Sequence, residues 1–259
     1  MNNANNSHSV TKLFVATAIG QLCDRGLLSV DTKVTSLFDD SIKPAEMSPL
    51  WDKVTVADLL RHRAGLDEIP YNIDNDDCLE KIGKDFLKYI FSLPIMHEPG
   101  TYRQYSDEAY YLLGRVIHAV TGKTADEYMK ENIMEPLGFR QWAMVKCPQG
   151  YPVCGGGFFA RSDDVARLGW AYANGGMYNG KSIISEKWIN EAMNSDYALS
   201  FFRDTDICLK TGACGQIVAF SRERRSAAAW HGYATDNGKR NDRLLEAYCR
   251  FLDERFGRL

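Results

Sequence analysis

The chain has 259 residues, a formal net charge of −3, 45% hydrophobic and 25% charged residues. These are ordinary globular values and exclude disordered and fibrous classes. The near-neutral balance leaves no electrostatic footprint for nucleic acid or an anionic membrane.

Residues 1–6 are polar and uncharged, unlike a signal or transit peptide, and no run approaches the roughly 20 apolar residues of a membrane helix. As written, the chain is expected to be cytoplasmic; a longer natural gene would place it in the periplasm or outside the cell. Seven cysteines, at 23, 78, 147, 154, 208, 214 and 249, are odd in number and scattered, with no C-x-x-C. That argues against a disulfide framework or a zinc site.

In chain order, Ser9 to about Cys23 is apolar nearly all round the wheel (Val10, Leu13, Phe14, Ala16, Ala18, Ile19, Leu22). That predicts a buried helix, with Ser7 or Ser9 as its cap and Gly26 past its end. Thr55 with Asp58 predicts a capped helix start. Further helices are expected over residues 78–93, capped from Asp76 or Asp77, and over 107–121, 124–134, 162–174 and 185–194. Residues 198–209, 215–221 and 226–231 read as three strands, the first turning near Lys210-Thr211-Gly212. A closing helix spans about 240–255. Helices followed by an antiparallel meander define an α+β domain over residues 1–259, with a helical lobe at about 40–195 between the first helix and the last strands.

Three short motifs carry chemistry. Ser9-Val10-Thr11-Lys12 is an S-x-x-K at a helix start, which sets an amine one turn from a hydroxyl near the positive end of the helix. Tyr105-Ser106-Asp107 stands before a helix, and a tyrosine beside lysines can serve as a base. Lys210-Thr211-Gly212 at a strand edge supplies a cation, a hydroxyl and a site of close backbone approach. Each alone is weak; roughly one S-x-x-K arises by chance in a chain this long.

In this order the three motifs resemble the signature of the penicillin-recognising serine hydrolases, the superfamily of class C β-lactamases, D-alanyl-D-alanine carboxypeptidases and esterases. The likeness extends over about residues 7–255. It includes Leu59-Leu60-Arg61-His62-Arg63-Ala64-Gly65-Leu66, Pro99-Gly100-Thr101, Tyr111-Leu112-Leu113-Gly114, Pro136-Leu137-Gly138, Gly155-Gly156-Gly157 and Gly212-Ala213-Cys214-Gly215-Gln216. The resemblance implies a β-lactamase-like fold with Ser9 as acylated nucleophile, Lys12 as its proton partner and Tyr105 as proton shuttle. It also implies that Lys210 and Thr211 hold the substrate, Gly212 lets it approach, the amides of Ser9 and Ala213 form an oxyanion hole, and no metal or organic cofactor is required.

Two departures from that pattern stand out. Family members usually carry a helix and two strands before S-x-x-K, and here eight residues precede Ser9. The apolar strand from Ser226 to His231 is then left with an open edge, for which a homodimer or a truncated fold is the expectation. The second is Asp107, where asparagine is commonest: a carboxylate there raises the Lys12 pKa, shifts the burden to Tyr105 and favours esterase-like over β-lactam chemistry. The expected activity is hydrolysis, through an acyl-enzyme, of a small ester, amide or β-lactam, and that small-molecule substrate is the expected partner; Lys210 supports a carboxylate-bearing one. The alternative is a catalytically silent homologue acting as a binding or scaffold protein. His62 reads as a structural histidine near a turn, His231-Gly232 as a poor substitute for K-T-G, and Asp74-Asn75-Asp76-Asp77 as a solvated cap. Arg222, Arg224 and Arg225 read as solvated turn charge.

Overall fold

The computed structural model describes residues 3–67, 82–233 and 239–257. Helix α1 (Thr11–Asp24) runs through the core, with every residue from Thr11 to Leu22 buried. Its apolar surface on all sides leaves it no solvent face to present. A short 3-10 turn, His8–Val10, leads into it. Neither expected serine caps it: the N-cap is Val10, without a side-chain hydrogen bond. Ser7 Oγ instead lies 3.3 Å from His231 Nε2.

Helix α2 (Val56–Leu60) opens with the expected capping box, in which Thr55 and Asp58 exchange hydrogen bonds. Of the helix expected over 78–93, residues 78–81 lie outside the described residues, and the described part is broken after Ile82 and resumes as α3 (Phe86–Ser92). Asp85 caps it, because Gly83 at φ +75 interrupts the pattern. The proposed cap at Asp76 or Asp77 and the acidic run 74–77 lie outside the described residues. Helices α4 (Asp107–Thr121), α5 (Ala125–Met129), α6 (Ser162–Ala173) and α7 (Glu186–Asn194) follow the expected spans. A π-turn over Lys130–Met134 extends α5.

Three sheets are present among the described residues. Strands β1 (Asn5–Asn6), β2 (Trp142–Met144) and β3 (Phe158–Ala160) form one, in the order β1-β3-β2; β4 (Met177–Tyr178) and β5 (Lys181–Ser182) form a hairpin. None of these short strands carries enough alternation to be read from sequence. The main sheet is the antiparallel meander β6 (Ser200–Phe201), β7 (Ile207–Gly212), β8 (Gln216–Ser221) and β9 (Ser226–Trp230).

Two expectations for this sheet are corrected. Residues 198–209 are two strands rather than one, broken at Arg203, whose φ is +50. Lys210-Thr211-Gly212 is not a turn: it is the end of β7, in register with Val218, Ile217 and Gln216. The turn proper is Ala213–Gly215, where Cys214 and Gly215 take positive φ.

Helix α6 packs on one face of this sheet, where Gly169 sits so close that a β-carbon would lie 3.0 Å from Val218 Cγ2 and 3.3 Å from Ala227 Cβ. Helix α8 (Lys239–Phe256) covers the other face, burying Leu245 and Leu252 on Ile207, Leu209, Ile217 and Ala219. The arginines of the β8–β9 turn are not all solvated charge. Arg224 is buried and pairs with Asp206 and with Asp253 at 2.8 Å, and Arg222 pairs with Glu186. Beyond β8, no strand pairs with β9 among the described residues. No described helix is long and apolar enough to cross a membrane.

Candidate active site

Ser9 sits in the 3-10 turn, and His8 just before it holds φ +45, an unusual conformation for a residue with a β-carbon. One turn later Lys12 is completely buried, and its Nζ donates to Ser9 Oγ at 3.1 Å. The same ammonium donates to Asp107 Oδ1 at 2.6 Å and to the Gly155 carbonyl at 2.5 Å. Three N–H donors thus meet three acceptors, a full complement for an ammonium. Burial works to lower the Lys12 pKa. The charge and hydrogen bonds of Asp107 and Tyr105 outweigh it, and the pKa lies above the ordinary value.

Gly155 is required for this arrangement: a β-carbon there would stand 2.6 Å from Asp107 Cβ. Asp107 opens α4, next to Ser106, whose Oγ caps the helix by accepting from the Ala109 amide.

Tyr105 lies in the loop before α4, 41% exposed. Its hydroxyl receives Lys210 Nζ at 3.4 Å, while the Lys12 ammonium stands 4.7 Å from its ring centroid. Burial works to raise the phenol pKa. The cations of Lys12 and Lys210, with hydrogen bonds to Ser9 and Lys12, overcome that and hold it below the usual value. Lys210 is itself pushed down by burial and by repulsion from Lys12 and Arg103, with Tyr105 acting in the opposite sense.

The end of β7 closes the site. Gly212 meets the nucleophile turn so tightly that a β-carbon would lie 2.7 Å from the Ser7 carbonyl oxygen and 3.0 Å from the Ser9 amide nitrogen. Gln216 then ties this corner to the end of β9, donating to the Gly232 carbonyl at 2.7 Å and accepting from the Gly232 amide at 3.2 Å. That double bond accounts for the glutamine of the G-x-x-G-Q segment.

All eight residues singled out from the sequence converge here. Ser9, Tyr105, Lys210, Thr211, Gly212 and Ala213 line a cleft of about 260 Å³, and Lys12 and Asp107 lie directly behind it. Asn241 of α8, nine-tenths buried, lines the cleft as well. Sequence reading missed it because no motif marks a lone asparagine some thirty residues past K-T-G. The Gly155 carbonyl was missed for a similar reason: backbone acceptors leave no trace in residue identity. A larger hollow of about 830 Å³ lies at the opposite end of the main sheet, by Met177, Phe201 and the β8–β9 turn. It contains none of the converging groups.

A serine hydroxyl beside a buried ammonium and a phenol of lowered pKa between two cations form a constellation suited to acyl transfer through a serine. The beta-lactamase family model matches residues 6–243, and the chain belongs to that family. Penicillin-binding protein 4 of Amycolatopsis lactamdurans is 30% identical over 139 residues, 52% of this chain and 34% of its own length. The chain spans about a third of the length of the curated relatives it matches. A penicillin-binding protein homologue from Caulobacter crescentus superposes with a TM-score of 0.75 at 21% identity, covering 96% of this chain and 84% of that one. A family VIII carboxylesterase gives 0.76 at 21% identity, with the same coverage. At these identities the structural likeness shows a shared fold.

Proposed function

We propose that the chain is a serine hydrolase that acylates Ser9 with a small ester and then hydrolyses the acyl-enzyme. The observation that carries this reading is Tyr105, whose hydroxyl accepts from Lys210 and whose ring faces the Lys12 ammonium that also donates to Ser9. In the first step Tyr105, as phenolate, takes the Ser9 proton while Oγ forms a bond to the substrate carbonyl carbon. The oxyanion is held by the amides of Ser9 and Ala213; removing one oxyanion-hole donor from a serine hydrolase costs about 3–4 kcal/mol. Collapse breaks the bond to the leaving alkoxide, which takes the proton from Tyr105. In the second step Tyr105 removes a proton from water, the hydroxide attacks the acyl carbon, and Ser9 Oγ leaves as the alkoxide and takes that proton.

Lys12 remains an ammonium throughout, because the Asp107 carboxylate beside it favours the charged form and its three donors all have acceptors. Its role is electrostatic: it keeps Tyr105 acidic and Ser9 oriented. Lys210 and Thr211 hold the carbonyl or carboxylate end of the substrate. A cleft of about 260 Å³ suits a small molecule. The Asp107 carboxylate disfavours negative charge beside Lys12, which supports an ester over a β-lactam.

Intact-mass spectrometry after incubation with a fluorophosphonate tests the reading. The expected result is a single adduct on wild type that is absent from Ser9→Ala. Well-folded wild type that takes up no adduct refutes it. p-Nitrophenyl esters and a chromogenic cephalosporin then sort the substrates, with turnover of the short-chain esters expected.

A further inference from the structure

The turn after α2 wraps around the loop that carries Tyr105. His62 is buried, at 3% exposure, and sits in the left-handed region at φ +57. Its carbonyl accepts the Gln104 amide at 2.9 Å, and its Nδ1 accepts the Ser106 amide at 3.1 Å. Between those two anchors its ring stacks on the Tyr105 ring, with centroids 4.2 Å apart and planes 30° apart. One residue therefore holds both neighbours of Tyr105, Gln104 through its backbone and Ser106 through its ring, and the same ring covers the face of Tyr105 itself. The grip extends along the segment: the Arg63 carbonyl accepts from Gly100, and the Gly65 carbonyl accepts from Met96 and His97.

We propose that His62 is a positioning residue for the reaction, holding the Tyr105 phenol at the point where Lys12, Lys210 and Ser9 act on it together. This rests on Tyr105 serving as the proton-transfer group. The charged and titratable groups that act on Tyr105, or on the His62 ring stacked against it, are Lys12 from α1, Lys210 from β7, Arg103 from the Tyr105 loop and Tyr110 from α4, with Asp107 of α4 paired to Lys12. Accepting the Ser106 amide at Nδ1 places the imidazole proton on Nε2 and requires a neutral ring. Burial and the nearby cations enforce that, pushing the His62 pKa down to about 2. A neutral ring adds no third cation beside the tyrosine, so its effect is geometric. If the ring is lost, Tyr105 can swing from the two ammonium groups, which weaken with distance, and its acidity falls.

The variant to make is His62→Asn. Asparagine tolerates left-handed backbone and keeps a carbonyl oxygen near the place of Nδ1, while removing the stacked ring. The measurement is NMR titration of tyrosine labelled with ¹³C at Cζ, with Tyr105 assigned through Tyr105→Phe. It needs no turnover. The expected result is a Tyr105 titration about one pH unit higher in His62→Asn than in wild type. The acidic limb of kcat/KM against pH should move up with it, and kcat/KM on that limb should fall about tenfold. A purely structural role lowers the melting temperature without moving either titration. An unchanged Tyr105 titration in the folded variant overturns the proposal. If His62→Asn does not fold, His62→Gln is read by the same criterion. A wild type that never labels with fluorophosphonate refutes the hydrolase reading separately, while the Tyr105 titration still decides the role of His62.

Discussion

Gly212→Ala is a steric test of the corner that joins β7 to the nucleophile. Gly212 has ordinary extended dihedrals, φ −131 and ψ 164, so alanine carries no conformational penalty there. The obstacle is contact: the new methyl would lie 2.7 Å from the Ser7 carbonyl oxygen and 3.0 Å from the Ser9 amide nitrogen. Both neighbours are backbone and cannot rotate away. Relieving them to ordinary contact requires β7 and the Ser9 turn to part by roughly half an ångström or more. Overpacking of this size costs about 1–3 kcal/mol in stability. The effect on catalysis should be larger, because the Ser9 amide and the Ala213 amide must point at one oxyanion. Loss of a donor costs about 10²–10³ in kcat. The expected outcome is a folded variant with kcat at least about 100-fold down on a short-chain ester and a melting temperature lowered by only a few degrees. Assay by p-nitrophenyl ester hydrolysis beside thermal denaturation separates the two effects. A folded Gly212→Ala with kcat within about threefold of wild type would refute the assignment of these amides.

Lys12→Met should abolish turnover and also destabilise the fold by about 3–5 kcal/mol, since it strands the Asp107 carboxylate. The double variant with Asp107→Asn should recover much of that loss in urea denaturation; strictly additive effects would contradict the pairing. Acid sensitivity is expected from His62. Its folded-state pKa is depressed to about 2 against an unfolded value near 6.5, so its contribution is complete above about pH 6.5 and is lost as pH falls. At pH 4.5 the loss is about 2.7 kcal/mol, and His231, also depressed, adds in the same direction. Urea melts at pH 7 and 4.5 should show His62→Asn losing less than wild type over this interval; an identical loss contradicts the reasoning. Arg224→Met leaves Asp206 and Asp253 without their shared cation and should cost about 3–5 kcal/mol while leaving esterase activity near wild type at low temperature. A change below about 1 kcal/mol would make this an ordinary surface pair.

Much of the site was legible because its parts are local. Ser9 and Lys12 are one helical turn apart, so their contact follows from spacing once α1 is recognised. The Thr55–Asp58 capping box and the Ser106 cap of α4 are likewise contained in four residues. Strands β8 and β9 could be read because each is a run of apolar residues long enough to carry a pattern. The order of the three motifs along the chain then identified the family, and with it the convergence of residues as far apart as Ser9 and Lys210.

Other features were decided by packing across long separations. The ammonium state of Lys12 depends on Asp107 and on the Gly155 carbonyl, 143 residues away, which a backbone acceptor cannot announce in sequence. Arg224 reads as solvated turn charge, yet α8 brings Asp253 over it and makes it a buried ion-pair centre. The break that divides β6 from β7 falls on the polar run Arg203-Asp204-Thr205-Asp206, and the apolar residues Phe201-Phe202 and Ile207-Cys208-Leu209 on either side let it pass as one strand. Residue types and short spacings determine which groups can react. Which charge each group carries, and which face it presents, follows from what distant segments place around it, because burial and Coulombic contact act through space rather than along the chain.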